Sequence, residues 1–298
     1  MSVVRTVLGD IPADELGVTD SHDHLFIRSP LLPGQELDDP ERARSALRDF
    51  RGLGGRSVIQ WTPYGMGREP AALVELSRET GAHVVAATGL HQAANYSDST
   101  LGRVAESLAD LFVTELTEGI GSTGVRAGLI KVAGSFHVLD AHARMTMRAA
   151  AEAHHRTGAP IAVHLELGTA VLDVLALLCG EFEVAPEQVI LGHLNRSPDS
   201  VVHRQAAEAG AFLAFDGPSR ANHATDWKLP EALSSLADAG YGDRLLLGGD
   251  TVVPGTPGMP YLLSGLRPRL ELALGKELVE DILTANPARA FALAGSAG

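Results

Sequence analysis

The segment Val18-Thr-Asp-Ser-His-Asp-His-Leu25 carries a His-x-His pair, His22 and His24. Its apolar and β-branched flanks suit a buried strand, in which residues two apart project from the same face. Two neutral imidazoles side by side can bind one divalent cation of the zinc class. A pair of polar residues at a strand end is the other reading, and the pair alone does not separate the two. Further along, Lys131, His164, His193 and Asp250 sit in or close the apolar runs Gly128-Leu-Ile-Lys-Val-Ala133, Ile161-Ala-Val-His-Leu-Glu166, Val189-Ile-Leu-Gly-His-Leu194 and Leu245-Leu-Leu-Gly-Gly-Asp250. Imidazole and charged groups inside such runs are costly unless paired or ligated. Four histidines in corresponding places, with a lysine and a closing aspartate, therefore point to one shared site.

The elements that must position these groups repeat in a regular order. The runs at 57–62, 84–88 and 211–216 complete a set of eight strands. Segments 41–53, 69–80, 99–118, 141–157, 169–178, 199–209, 229–239 and 277–293 read as the intervening helices. Near-continuous apolar strands are those of a parallel sheet covered on both faces. Eight βα units without a break in composition predict an α/β fold, a (β/α)8 TIM barrel, as a single domain over residues 1–298. Residues 1–17 form a turn or hairpin segment that caps the barrel. An open doubly wound sheet is the fallback, but no G-x-G-x-x-G follows the first strand. In a barrel the polar groups at the strand ends converge on one axial cavity at the C-terminal face.

Composition narrows the partners. The chain has 298 residues, 45% of them hydrophobic, enough for a large core. Its 24 basic and 37 acidic residues give −13, the wrong sign for binding nucleic acid or an anionic membrane. No apolar run approaches the ~20 residues of a spanning helix, and the N-terminal segment lacks the pattern of a secretion signal. The single cysteine, Cys179, excludes an intramolecular disulfide and reads as helix packing. A cytoplasmic protein is the expectation, with a composition compatible with a homodimer.

The motifs together resemble the phosphotriesterase-related family, including its phosphotriesterase-like lactonases, within the amidohydrolase superfamily. They are Gly17-Val-Thr-Asp-Ser-His-Asp-His-Leu-Phe26, Gly128-Leu-Ile-Lys-Val132, Val163-His164, Gly192-His-Leu-Asn-Arg196, Phe215-Asp-Gly217, Gly248-Gly-Asp250 and Asn286-Pro-Ala-Arg289. The resemblance implies a binuclear centre of two divalent ions, with Zn2+ the expected metal. His22, His24 and Asp250 would hold the more buried ion, and His164 and His193 the more exposed one. Lys131, N-carboxylated by CO2, would bridge both, because an ammonium cannot ligate a cation whereas a carbamate oxygen can. A water shared by the ions would ionise near neutral pH, and Asp250, with two oxygens, could ligate and accept its proton. Asp250 and Lys131 are thus the catalytic candidates.

The implied activity is hydrolysis of a lactone or carboxylic ester, a sugar or phosphorylated sugar lactone among the candidates, with phosphotriesterase turnover as a side reaction. Three alternatives remain at this point. The main substrate could be an organophosphate triester, Lys131 could be the nucleophile of a Schiff-base aldolase, or the barrel could bind metal without catalysis. Substrate candidates on the βα loops are Arg28, Trp61, Tyr64, Arg68, His91, Tyr96, Arg220, Lys228 and the segment 251–261. Tyr96 matches the tyrosine that lies over the metals in lactonase-like relatives, and Arg28, Arg220 and Lys228 could form a cationic rim. Asp216 reads as a structural acceptor, and Gln60 stands where the family usually has an acidic residue. His137, His142, His154, His155, His203 and His223 are expected at the surface.

Overall fold

The computed structural model describes residues 2–216, 226–255 and 258–295. Strands β1 (Val3–Thr6) and β2 (Gly9–Pro12) pair as an antiparallel hairpin. Eight parallel strands follow, ordered around the axis as they are in the chain: β3 (Thr19–Asp23), β4 (Ser57–Gln60), β5 (His83–Gly89), β6 (Leu129–Ala133), β7 (Ile161–His164), β8 (Val189–Gly192), β9 (Phe212–Asp216) and β10 (Leu245–Gly248). The last strand meets the first where the Asp250 N–H donates to the His22 carbonyl at 2.8 Å and the Gly249 N–H to Asp20 Oδ1 at 3.0 Å. Gly248 allows that approach, since a Cβ there would stand 2.7 Å from the His22 nitrogen. The architecture is the expected (β/α)8 barrel.

Period-two alternation sorts the strand residues into two cores. Ile59, Ala87, Leu129, Ala162, Ile190, Phe212, Ala214 and Leu246 fill the barrel interior, joined by Val4, Ala13 and Leu16 of the N-terminal segment. Their neighbours Val58, Ala86, Ile130, Val163, Leu191, Leu213 and Leu247 pack outward against the helices. Two residues beyond an inward apolar position, the same face carries Trp61, Lys131, His164 and Asp216. The polar layer is therefore the continuation of the apolar one.

The helical ring comprises α1 (Pro40–Gly52), α2 (Pro70–Thr80), α3 (Asp98–Val104), α4 (Leu108–Thr117), α5 (Ala141–Thr157), α6 (Val171–Leu175), α7 (Ser200–Glu208) and α8 (Leu229–Asp238). After β10 come α9 (Met259–Tyr261), α10 (Arg267–Leu274), α11 (Lys276–Leu283) and α12 (Ala285–Ala290). Local chemistry sets the ends: Asp39 caps α1 by accepting from the Glu41 N–H at 2.9 Å, and Pro40 follows at the first helical position. Asp140 likewise caps α5, which Gly158 ends in the left-handed region at φ 73°. Two expected helices are broken. The span 99–118 divides at 105–107, with Gly102 weakening its first half. The span 277–293 divides at Thr284, and Pro287, lacking an N–H, cannot bond back across the break. Among the described residues no helix is long and apolar enough to cross a membrane.

Candidate metal centre

His22 projects from β3 and His24 from the residue after it; Asp250 lies just past β10. The Nε2 atoms of His22 and His24 stand 3.6 and 3.7 Å from Asp250 Oδ1. Those distances exceed a hydrogen bond. They approach the ~3.3 Å separation of two donors that each lie ~2.0–2.1 Å from a common tetrahedral ion. The three groups are buried and could hold a metal ion. Beside this group, His193 Nε2 and His164 Nδ1 approach to 2.7 Å. Lys131, 2% exposed, lines the same cavity with all four imidazoles and Asp250. Its amine forms no hydrogen bond or ion pair among the described residues.

Burial sets the protonation states. It pushes the His24 imidazole down to about 4 and those of His164 and His193 well below the ordinary value, so these rings are neutral with a lone pair to offer. Burial also lowers the Lys131 amine to about 7, against the opposing pull of Asp250 and Glu166. An uncharged amine is the form that reacts with CO2. The donor set and its charge state thus fit a divalent cation.

The buried partners behind these rings choose which nitrogen faces inward. Thr62 Oγ1 donates to the Phe26 carbonyl at 2.6 Å, so at its 2.7 Å contact with His24 Nδ1 it accepts, leaving the Nε2 lone pair toward Asp250. Asp216 places one oxygen 3.0 Å from His22 Nδ1 and the other 2.7 Å from His193 Nδ1, and it also accepts the His193 backbone N–H at 2.5 Å. His22, His193 and Asp216 could themselves hold an ion; Asp216 stands at ion-pair distance from both rings, and its hydrogen bond is to the His193 backbone. Glu166 faces His164 Nε2 at 3.1 Å, and Trp61 stacks on His22 at 3.7 Å. Gln60 takes the Leu25 N–H at 2.6 Å and donates to the Phe26 carbonyl at 2.8 Å, bracing the exit of β3. Beneath, the hydrogen-bonded carboxyls of Asp20 and Asp23 are fully buried; burial and their mutual repulsion raise Asp20 well above the carboxylate range.

Two ligand candidates occupy the left-handed backbone region, His193 at φ 65° and Asp250 at φ 48°. Such conformations cost non-glycine residues roughly 1–2 kcal/mol and gather at functional sites. Asp250 shows a feature the sequence reading did not foresee. Its Oδ2, the oxygen expected to take a proton, is already held by the Arg196 guanidinium, whose side chain is 6% exposed.

The substrate candidates separate. His91 lines the cavity. Trp61 lies wholly buried behind His22, its indole N–H on the Ser21 carbonyl at 2.9 Å. Tyr96 is buried outside the cavity lining, its hydroxyl accepting the His91 N–H at 2.8 Å. Arg68 is no rim cation: it forks onto Glu115 at 2.6 and 2.7 Å, its guanidinium 5.6 Å from the half-buried Tyr64 ring. Arg28 is exposed, and the half-exposed Lys228 lies 4.0 Å from Glu231 and 5.1 Å from the Trp227 ring. Arg220 and His223 fall outside the described residues. Two histidines expected at the surface are buried. His154 bonds the Ala159 carbonyl at 2.8 Å, and the His203 ring packs edge-on against Phe215. Helix faces that turn inward explain both. Sequence reasoning missed Thr62, Glu166 and Arg196; each follows a strand end by a few residues, the one signal available.

A parallel barrel with imidazoles, a buried lysine and an aspartate gathered at its strand ends defines a class of barrel built around a cation site. The Phosphotriesterase family model matches residues 2–291, and the chain belongs to that family. It is 31% identical to a phospho-furanose lactonase of Mycoplasmopsis synoviae, over 97% of this chain and 91% of that one. Among solved structures, a lactonase from Listeria monocytogenes superposes with a TM-score of 0.90 at 28% identity, covering 98% of this chain and 100% of that one. An amidohydrolase from Mycoplasma synoviae gives 0.92 at 29% identity, covering 99% and 93%.

Proposed function

We propose that the protein is a cytoplasmic, binuclear-metal hydrolase whose main substrate is a lactone, with sugar lactones and their phosphorylated forms the leading class. The observation that carries this reading is the convergence of His22 Nε2, His24 Nε2 and Asp250 Oδ1 beside a buried Lys131 whose amine burial lowers to about 7. His22, His24 and Asp250 would hold one ion, His164 and His193 the second, and carboxylated Lys131 would join them; zinc suits these ligands. When bound, the ions supply Lewis acidity and a water ionised near neutral pH.

The chain's own residues do the rest. Asp216 and Glu166 keep the imidazoles turned inward, as the second layer of metal sites commonly does. Asp250 is the proton acceptor, and Arg196 must yield its contact with Oδ2 as that oxygen takes the proton. The lactone preference rests on the kinship with proteins named as lactonases and on the short Pro/Gly-rich segment after Asp250, which lacks a long apolar insertion for bulky triesters. Arg28 and Lys228, both solvent-accessible, are the described cations of the expected rim that a phosphate could meet; Arg220 lies outside the described residues.

The test is a panel of neutral and phosphorylated sugar γ-lactones, an aryl carboxylic ester and a diethyl aryl phosphate triester, each with and without chelator. Lactone kcat/KM is expected to exceed that for the triester by at least ~100-fold and to vanish on chelation. A phosphorylated lactone should exceed its neutral counterpart by roughly tenfold, the value of one charge-assisted contact. Triester turnover above lactone turnover would replace the reading with an organophosphate hydrolase.

A further inference from the structure

The segment leaving β5, His91-Gln-Ala-Ala-Asn95, places a fifth imidazole in the cavity, its ring 4.5 Å from that of His164. This ring differs from the other four in which nitrogen is already used. The Gln92 backbone N–H donates to His91 Nδ1 at 2.7 Å, and Asn95 Nδ2 lies 2.8 Å from the same atom. A backbone N–H can only donate, so Nδ1 is an acceptor and carries no hydrogen. A neutral imidazole has one N–H, and here it must be on Nε2. The same constraint fixes the Asn95 amide with its nitrogen toward the ring.

The residue is pinned on every other side. Its backbone N–H is held by the Tyr96 hydroxyl at 2.8 Å and its carbonyl by His142 Nε2 at 2.8 Å. Asn95 is 9% exposed and accepts the Ser29 hydroxyl through its backbone carbonyl at 3.0 Å. Gln92 reaches across to the Gly134 carbonyl at 2.9 Å and to Glu166 at 3.0 Å. Only His91 Nε2 has no protein partner among the described residues.

The geometry points to His91 as a fixed, uncharged Nε2–H donor that contacts an oxygen acceptor of the bound substrate, its tautomer set by the Gln92 backbone N–H and supported by the Asn95 amide. It is not a further metal ligand, because its lone pair is on Nδ1 and is occupied. A carbonyl, ring or hydroxyl oxygen can accept from it; an ammonium or amide N–H at that place cannot. Only the identity of the acceptor as a lactone oxygen rests on the function proposed above.

The experiment is nitrogen–proton NMR of histidine-labelled protein, the His91 signals assigned with His91→Gln, alongside metal content and γ-butyrolactone kinetics. Wild type should show a bare Nδ1 and a protonated Nε2. Asn95→Ala, which leaves the Gln92 N–H on Nδ1, should keep that tautomer. His91→Phe should keep the wild-type metal content and raise KM about tenfold, the loss of one hydrogen bond, with a smaller change in kcat; His91→Gln, which retains a donor, should recover part of the KM. A protonated Nδ1 in wild type or in folded Asn95→Ala, metal loss in His91→Phe, or unchanged kinetics in that variant would each overturn the assignment. If wild type does not hydrolyse the lactone, the lactone reading fails, and the tautomer and metal results decide the assignment of His91 by themselves.

Discussion

The barrel buries two clusters of charge, and they are built on opposite principles. Around Arg68, both carboxylate oxygens of Glu115 are taken by the guanidinium fork, Oε2 also accepts the Thr88 hydroxyl at 2.5 Å, and Nη1 reaches the Ala87 carbonyl at 3.1 Å. Each charge there is answered by protein. Around Lys131 the amine has no hydrogen-bond partner among the described residues, and two imidazole nitrogens stop 3.6 and 3.7 Å from one Asp250 oxygen. A closed cluster serves stability; one left open toward a common point serves a ligand. Burial and charge alone did not distinguish Arg68 from a site residue, and satisfaction of its hydrogen bonds does.

Lys131→Ala should separate the clusters most strongly. Removing the group proposed to join the ions is expected to lower lactone kcat/KM by at least ~1,000-fold, while the melting temperature of the chelated variant holds or rises against chelated wild type because a desolvated amine is gone. Kinetics and calorimetry on one preparation check it. Arg68→Leu should do the converse: leaving Glu115 buried without its partner costs on the order of 3–5 kcal/mol, read as a fall in the urea midpoint, with kcat/KM per folded molecule near wild type. Adding Glu115→Leu to that variant should restore most of the stability; if it does not, the pair is more than a closed ion pair.

Asp216→Asn tests the layer between. One of its two contacts to His22 Nδ1 and His193 Nδ1 becomes a donor facing a donor, and metal affinity measured by competition with a chelator should fall 10–100-fold. The smallest effect is a pH dependence of the metal-free protein. The unfolded chain protonates His24 near its ordinary pKa of about 6.5, whereas burial delays this to about 4 in the folded protein. The unfolded state binds more protons in that window, so stability declines as pH falls from about 6.5 to 4 and levels off below. Urea midpoints of chelated wild type and His24→Asn at about pH 7 and about pH 5 should show wild type losing ground to the variant in acid.

The fold was legible because alternation and length survive in a one-dimensional pattern. Ile59, Leu129, Ala162 and Leu246 face inward as period two requires, and the polar residues two positions on mark the strand ends. The candidate ligands were legible for the same reason. Their supports were not. Thr62 and Glu166 act through contacts with residues 38 and 2 positions away, and Arg196 meets an aspartate 54 residues on. Tyr96 was expected over the metals and lies behind His91, because what matters is the turn after β5 rather than the residue type. Gly89, at φ 108°, shapes that turn: its missing side chain lets the chain pass against the Lys131 backbone.

The most direct test is metal content per chain by elemental analysis of wild type and Lys131→Ala purified in parallel. The account predicts about two divalent ions in wild type and a sharp fall in the variant. A metal-free, active wild type whose Lys131 is trapped by borohydride in the presence of a carbonyl substrate would contradict it, and would make the lysine a Schiff-base nucleophile instead.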